Sequence, residues 1–358
     1  MLSRTRCASG ARLIFVAVLV AALALALPGI ANANNGKREL GVMTQNLYLG
    51  SSLDQALQAQ TQFEFLVAAT TIWGTVQFTN FPVRSDAIAN QIAAEEPDLV
   101  GLQEVTQWTT SGASALPSLD FLAILQQDLA DRGLNYSVAS VSNNANVGPI
   151  PLLDFCTAGP GSCALSLLDR DVILVNNDNP RLVIRRAQNG NYRAQQVLTT
   201  PVGQLSFNRG WNTVDGLFFN KRFRLANTHL EVEGFADAQE AQGREFLRGP
   251  ARAGGAVIAT GDFNSAADGS TTTTYSDLTK SYFTDAWNVN PGDPGLTCCQ
   301  NSTLSNPTSE LSSRIDLVLT HDGSHALSAD VIGDTPFQGV PPFWPSDHAG
   351  VVAAIRLH

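Results

Sequence analysis

Short apolar runs alternate with a few amphipathic segments along most of the chain. The runs at 40–46 and 99–105 are long enough for buried strands, and 222–228 alternates apolar with polar residues as a half-buried strand does. Further strands are predicted at 136–141, 171–175, 195–200, 213–219, 256–260, 315–320 and 350–355. Helical spacing of apolar residues predicts helices at 83–94, 121–129 and 236–247. Many strands mixed with few helices predict two packed sheets covered by helices.

Two stretches do not follow either pattern. The segment 142–161 is rich in Asn, Pro and Gly, so we expect an irregular excursion there, and we expect another at 288–309. Neither stretch resembles a linker between independent domains. We therefore expect residues 34–358 to form a single domain.

The first 33 residues have the three parts of a secretory signal peptide. Three arginines precede an uninterrupted apolar run at 13–27, which is followed by the small-residue pattern Ala31-Asn32-Ala33. The run is short for a membrane span, which needs about 20 residues, and an uncleaved N-terminal anchor is the alternative. We expect an exported protein, extracellular or periplasmic, with no membrane span after processing.

The composition predicts an acidic surface. The chain carries a formal net charge of −10, and removal of the three leader arginines makes it more acidic. Such a surface does not attract nucleic acid or anionic lipid by bulk electrostatics, although a bound metal ion reverses the local field.

Four cysteines lie beyond the leader, and an even count in an exported protein predicts disulfides. Cys156 and Cys163 flank a short loop of small residues and are predicted to bond to each other. For Cys298 and Cys299, the sequence leaves open a bond between neighbours or cross-pairing. The spacing of the four cysteines argues against a zinc motif.

Polar residues that are capable of catalysis or metal binding occur where the predicted strands start or stop. They are Asn46, Glu104, His229, Asp262, Asn264, Asp316, Asp347 and His348. Burying so many carboxylates and amides is costly unless they are paired or bind a metal. Oxygen ligands suit Mg²⁺, Mn²⁺ or Ca²⁺ rather than Zn²⁺, and histidines beside them transfer protons near neutral pH.

The same residues stand in six short motifs whose order, spacing and strand context agree. The motifs are Asn46, Gln103-Glu104, Thr228-His229-Leu230, Gly261-Asp262-Phe263-Asn264, Arg314-Ile315-Asp316 and Ser346-Asp347-His348. From about residue 40 to the C terminus, the chain resembles the endonuclease/exonuclease/phosphatase superfamily, which includes DNase I-like nucleases, inositol polyphosphate 5-phosphatases and neutral sphingomyelinases. The resemblance implies a four-layered α/β sandwich, two packed mixed β-sheets flanked by helices, with the site at one edge of the sheets.

The resemblance also implies a metal site. Glu104 matches the principal metal-binding carboxylate of the family. Asn46 is expected to assist at or beside the metal, and Asp347 lies near it. The implied cofactor is Mg²⁺, with Mn²⁺ or Ca²⁺ as alternatives.

The remaining motif residues match catalytic positions. Asp262 matches the residue that orients or deprotonates the attacking water, and Asn264 and His229 match groups that contact phosphoryl oxygens. Asp316 matches a carboxylate that orients a histidine, for which we expect His229. The general base is assigned jointly to Asp262 and His348.

Two arginines outside these motifs are further candidates. Arg170, in Asp169-Arg170-Asp171, opens a strand in the segment where family members place a residue that faces the phosphate. We take it as a substrate contact, with an ion pair at the surface as the alternative. Arg209 could reach the cleft, although a structural turn is the preferred interpretation.

Together these residues predict a divalent-metal-dependent hydrolase that cleaves phosphodiesters, either a nuclease or a phospholipid- or sphingomyelin-cleaving enzyme. The alternatives are a phosphomonoesterase that acts on a small molecule and a non-catalytic binding protein that retains the fold. Tyr48 stands where some DNA-repair members carry an acidic residue, and no basic cluster marks an inositol phosphate site. We expect a monomer without a protein partner.

Overall fold

The computed structural model describes residues 38–280, 282–339 and 341–358. Their α-helices are α1 (Asp54–Leu57), α2 (Gln62–Phe78), α3 (Phe81–Glu95), α4 (Phe121–Asp131), α5 (Ala236–Arg248) and α6 (Thr274–Thr279). Their strands are β1 (Leu40–Asn46), β2 (Leu99–Gln103), β3 (Gln107–Gly112), β4 (Leu119–Asp120), β5 (Tyr136–Pro151), β6 (Cys163–Asn176), β7 (Leu182–Asn191), β8 (Gln196–Thr200), β9 (Gly203–Phe207), β10 (Gly210–Phe218), β11 (Lys221–His229), β12 (Ala256–Asp262), β13 (Thr284–Asp285), β14 (Asp316–His321), β15 (Ser324–Ile332), β16 (Gln338–Gly339), β17 (Pro342–Phe343) and β18 (Gly350–Leu357). The expected leader, residues 1–33, lies outside the described residues.

The strands β8–β9 and β16–β17 form separate two-stranded sheets, and the others form two large mixed sheets. The first has the order β15-β18-β1-β2-β6-β3-β4, with β5 also paired to β6, and the second has the order β13-β14-β12-β11-β10-β7. Each sheet contains one parallel pair, β1–β2 in the first and β11–β12 in the second, and the other described pairs are antiparallel. Because parallel strands end at the same edge of a sheet, each pair delivers two strand ends side by side.

The apolar core lies in three layers between helices and sheets. Successive residues of a strand face opposite sides, and β1 illustrates the consequence. Val42 packs between the two sheets, whereas Met43 packs on the outer face, where α2, α3 and α4 cover the first sheet. Residues of α5 and α6 cover the outer face of the second sheet in the same way. The predicted four-layered α/β sandwich is confirmed.

One expectation from the sequence needs correction, and one helix was not predicted. The segment 142–161 is not an irregular excursion throughout, because β5 continues to Pro151 and pairs with β6 across three register shifts. The Asn, Gly and Pro residues at 143–151 fall at or near these irregularities, where bulges tolerate them. Helix α2 was not predicted because apolar residues occur on all its sides, and Phe63 and Phe78 are exposed.

The disulfide and membrane expectations can also be compared with the structure. The predicted bond between Cys156 and Cys163 is present. Cys298 is bonded to its neighbour Cys299, so the cross-pairing alternative is not found. Within the described ranges, no helix combines the length and apolar character that crossing a bilayer demands.

Candidate active site

The ends of the two parallel strand pairs meet at one edge of the sandwich. Asn46 ends β1, and Glu104 directly follows β2. His229 and Asp262 are register partners at the ends of β11 and β12, and Asp316 opens β14 opposite Asp262. A cleft of about 430 Å³ opens at this edge. The predicted residues that line it are Glu104, His229, Asp262, Asn264, Asp347 and His348.

Asn46 connects the two sheets at the base of the cleft. Its Nδ2 donates to Glu104 Oε1 at 3.3 Å and to Asp262 Oδ2 at 3.1 Å, and its Oδ1 accepts from the Tyr48 N–H. Glu104 has a φ of +53°, a left-handed conformation that a residue with a side chain seldom adopts. The Leu49 N–H donates to its Oε2, so both oxygens are held in fixed positions at the cleft. Strained backbone of this kind concentrates at functional sites.

Asp262 lies between the two histidines. Its Oδ2 is 3.5 Å from His229 Nε2 and 3.8 Å from His348 Nε2, and its Oδ1 accepts from the Asn264 N–H at 2.9 Å. Burial raises the pKa of Asp262 to about 7, with the negative charge of Asp316 acting in the same direction. A carboxyl with such a pKa gains or loses its proton near neutral pH, as a general base requires.

Asp316 holds His348 rather than His229, so the predicted pairing is wrong. The Asp316 Oδ2 lies 2.8 Å from His348 Nδ1. Burial by itself lowers the pKa of His348, but the charges of Asp316, Asp347 and Asp262 outweigh it and raise the pKa well above its usual value. His348 is therefore a cation at neutral pH, with Nε2 directed to the cleft. Burial likewise raises the pKa of Asp347 to about 7.

His229 has the opposite environment. Its ring nitrogens lie 3.0 Å from Arg209 Nη1, and burial, together with the positive charges of Arg209 and His348, lowers its pKa well below the usual value. His229 is therefore neutral at physiological pH. Asn264, with a φ of +49°, donates from Nδ2 to the Leu230 carbonyl at 3.0 Å, which fixes its amide beside the cleft.

Arg170 does not line the cleft, so its assignment as a substrate contact is wrong. It is buried, donates from Nε to the Val105 carbonyl and pairs with Asp120, which also caps α4. Because neighbours on a strand face opposite sides, Asp169 and Asp171 turn away from it. Each offers a carboxylate oxygen within 4.8 Å of a His229 ring nitrogen.

Several functional candidates were missed or underrated by sequence reasoning. Arg209 lines the cleft and pairs with Glu231, whose Oε1 lies 3.2 Å from Arg209 Nη2. Burial and the neighbouring Glu104 raise the pKa of Asp169 to about 7. Asn144 Nδ2 donates to Asp171 at 2.8 Å, and one oxygen of each of these two aspartates is buried without a hydrogen-bond partner.

Arg84 positions two loops that carry site residues. This fully buried arginine on α3 donates to the carbonyls of Leu47, Tyr48 and Pro345, and its Nε donates to Thr79. Burial lowers its pKa to about 10, so it remains charged at neutral pH. The segment after β1 and the segment before His348 are thereby held together.

The cleft lining is acidic, and its composition fits a hard divalent cation. Five carboxylates line the cleft, and among the described lining residues Arg209 is the sole arginine or lysine. The acidic residues are Asp54, Glu104, Glu231, Asp262 and Asp347. Clustered carboxylate and amide oxygens are the ligands that Mg²⁺, Mn²⁺ and Ca²⁺ prefer.

Comparison with known proteins agrees with this geometry. Residues 43–348 match the model of the Endonuclease/Exonuclease/phosphatase family. An endonuclease/exonuclease/phosphatase family protein from Bacteroides thetaiotaomicron has a TM-score of 0.56 at 16% identity, covering 89% of this chain and 98% of its own. A mannosyl-6-phosphatase from the same species has a TM-score of 0.55 at 17% identity, with 88% and 99% covered. TDP2 from D. rerio, solved with a single-strand DNA product, has a TM-score of 0.54 at 14% identity, with 89% and 99% covered. A search of curated proteins finds no match.

The sandwich fold and the acid–histidine cleft, taken with these matches, define a phosphoester hydrolase. The chain belongs to the Endonuclease/Exonuclease/phosphatase family, as the predicted resemblance indicated.

Proposed function

We propose that this protein is a divalent-metal-dependent phosphodiesterase. The observation that carries the proposal is the charge of the cleft, where five carboxylates oppose Arg209 and the protonated His348. A phosphate anion is repelled by such a surface unless a cation is bound there first. Glu104 and Asp347 would hold that cation, with the Asn46 amide orienting Glu104. When bound, a divalent cation neutralises charge on the phosphoryl oxygens and lowers the pKa of bound water.

The protonation states of the side chains assign the other roles. Asp262, with a pKa near 7, accepts the proton of the attacking water. His348 is protonated and held by Asp316, so its Nε2 donates to an oxygen as charge builds. We therefore assign the general base to Asp262. Arg209 binds a non-bridging phosphate oxygen, with neutral His229 against its guanidinium.

The cleft favours a diester over a monoester. A phosphodiester has an ester group on each side of the phosphorus, whereas a monoester has only one. Apolar side chains also line the cleft and provide room for ester groups on either side of the phosphate. They are Leu49, Leu53, Leu57, Leu198, Phe207, Val232 and Phe235. This lining suits an apolar or ring-containing ester group, whether nucleotide or lipid.

We further propose that the protein is exported and acts outside the cytoplasm, on the basis of the leader at residues 1–33.

An activity panel tests the function. The protein lacking residues 1–33 would be assayed with bis-(p-nitrophenyl) phosphate, p-nitrophenyl phosphate, plasmid DNA and sphingomyelin, each with Mg²⁺, Mn²⁺, Ca²⁺ or EDTA. We expect diester turnover that EDTA abolishes and that the Glu104→Gln variant lacks. Faster monoester turnover would replace the proposal with a phosphomonoesterase, and no turnover with any ion would favour a binding protein.

A further inference from the structure

The adjacent cysteines Cys298 and Cys299 line the same cleft as the catalytic candidates. Cys299 Sγ lies 3.8 Å from His348 Nε2, and one ligand atom each from Cys298, Cys299 and His348 all lie within 4.8 Å of one another. A bridge between the backbones of Cys298 and His348 fixes the two segments side by side. In the structure the two sulfurs are bonded to each other.

We propose that reduction of the Cys298–Cys299 disulfide creates a binding site for a soft divalent cation such as Zn²⁺. The ligands are the two thiolates and His348 Nε2, with a carboxylate oxygen of Asp347 or Asp262 in the fourth position. Because His348 is a catalytic candidate, the bound cation inhibits the hydrolase. The inhibition rests on the proposed function, whereas the binding does not.

The donor chemistry distinguishes this site from the hard-cation site around Glu104. Thiolate and imidazole ligands select Zn²⁺ over Mg²⁺, Mn²⁺ or Ca²⁺. A tetrahedral zinc with bonds of about 2.0–2.3 Å separates its ligand atoms by roughly 3.5 Å, close to the 3.8 Å between Cys299 Sγ and His348 Nε2. Little movement is therefore needed for the sulfur and the nitrogen to share an ion.

The surroundings of His348 are those of a metal-binding histidine. Its Nδ1 is 2.8 Å from the Asp316 carboxylate, which leaves Nε2 free to bind. Histidines that bind metals characteristically pair their other ring nitrogen with a carboxylate in this way. Nε2 is also 4.0 Å from Asp347 Oδ1 and 3.8 Å from Asp262 Oδ2, either of which can complete the coordination.

The switch between the two states is a thiol–disulfide exchange. A dithiol gives two electrons and two protons to the Cys298–Cys299 bond, which becomes two thiols, while the dithiol becomes a disulfide. Cys299 is only partly buried and faces the cleft, so a small thiol can reach it. Metal binding then releases the two thiol protons and the proton on His348 Nε2. Reoxidation removes both thiolates and with them the site.

Spectroscopic titration with Co²⁺ tests the binding without any substrate. The protein lacking residues 1–33 is reduced with a phosphine, freed of reductant without oxygen, and titrated with Co²⁺ and then Zn²⁺. We expect thiolate-to-cobalt charge-transfer absorption that Zn²⁺ abolishes in the reduced protein, and none in the oxidised protein. The double variant Cys298→Ser/Cys299→Ser should lack the absorption. Asp316→Asn should weaken binding by about 10- to 100-fold.

The second disulfide supplies the matched control. Reduction also opens Cys156–Cys163, but among the described residues these two belong to no group that could hold a metal. The variant Cys156→Ser/Cys163→Ser should therefore bind Co²⁺ as the wild type does.

Absence of the absorption in reduced wild type, or its persistence in the Cys298/Cys299 variant, would overturn the proposal. Should that variant not fold, alkylation of reduced wild type decides instead, because Zn²⁺ should protect Cys298 and Cys299 from iodoacetamide and leave Cys156 and Cys163 unprotected. Equal labelling of all four overturns the site. Diester hydrolysis is measured separately, so cobalt binding without turnover refutes the proposed function alone, and turnover without cobalt binding refutes this inference alone.

Discussion

Asp262→Asn should lower turnover and at the same time improve the stability of the metal-free protein at alkaline pH. The carboxyl is 1% exposed, and burial raises its pKa from 3.8 to about 7. A group whose pKa is higher in the folded state stabilises the fold below its unfolded pKa, and this contribution is lost as pH rises through the folded pKa. Asparagine has no such dependence, because it stays neutral.

The size of the effect follows from the two pKa values. At pH 5.5 and pH 8.5 the unfolded carboxyl is charged, whereas the folded carboxyl is protonated at pH 5.5 and charged at pH 8.5. The unfolding free energy of wild type therefore falls as the pH rises from 5.5 to the folded pKa of about 7. This span of about 1.5 pH units corresponds to about 2 kcal/mol. Asparagine also loses the bond that Asp262 Oδ2 accepts from Asn46, which costs about 1 kcal/mol at every pH. The lost bond shifts both measurements equally and leaves their difference unchanged.

Urea unfolding in EDTA, followed by tryptophan fluorescence at pH 5.5 and pH 8.5, measures this difference. From the lower to the higher pH, the variant should gain about 2 kcal/mol of unfolding free energy relative to wild type. Asp330→Asn, an exposed change on β15, serves as the control and should follow wild type. Turnover of Asp262→Asn should fall at least about a hundredfold, as for loss of a general base. A stability difference that does not change with pH would refute the assignment of a raised pKa to Asp262.

Three further changes separate the roles of individual groups. Arg209→Met should raise KM for a diester at least about tenfold, which corresponds to a loss of about 1.4 kcal/mol in binding free energy. Arg170→Met should lower the unfolding free energy by about 1–3 kcal/mol and leave KM unchanged. Equal effects of the two variants on KM would contradict this distinction. Asp316→Asn should move the alkaline limb of the kcat–pH profile to lower pH, because Asp316 raises the pKa of His348, and an unmoved limb would exclude His348 as the acid. Mn²⁺ at a hundred times its Kd should stabilise the wild type by about 2.7 kcal/mol in thermal melts and leave the stability of Glu104→Gln unaffected. An equal gain in stability for both proteins would place the ion elsewhere.

The sequence was a good guide to the elements that build the site. The boundaries of β1 and the positions of α5 and β12 were predicted closely, because buried strands and amphipathic helices have distinct hydrophobic periods. The polar residues at strand ends were also predictable, since a carboxylate or an imidazole directly after an apolar run rarely serves the core. Glu104 and Asp262 are examples.

Residues that act through a neighbour were less predictable. Asp316 was expected beside His229, but its partner is His348, whose Nδ1 lies 2.8 Å from Asp316 Oδ2. No pattern in the sequence specifies which of two distant histidines a carboxylate meets. Arg209 was interpreted as a turn residue for a similar reason, since its counter-ion Glu231 is 22 positions away along the chain, after both β10 and β11.

The wrong assignment of Arg170 could have been avoided from the sequence. In Asp169-Arg170-Asp171 the charges alternate, and a strand sends alternate residues to opposite faces. The two aspartates therefore had to share one face, with Arg170 on the other. Since the strand lies in the first sheet, the face toward the second sheet is the one that reaches His229. The alternation of side chains along the strand is enough to show that Arg170 and its two neighbouring aspartates cannot all belong to one site.

The two histidines explain how a cleft with so many acids can both bind a cation and donate a proton. His348 faces three carboxylates, which raise its pKa, while His229 faces Arg209 and is kept neutral. If His229 were also charged, it would add a second cation next to Arg209 and oppose a metal ion at Glu104. With His229 neutral, the Arg209 guanidinium stays available to a phosphate oxygen, and the single protonated imidazole lies on the opposite side of Asp262. When the surroundings give two groups of the same type different pKa values, as they do for these two histidines, the difference identifies which groups act as acid and base.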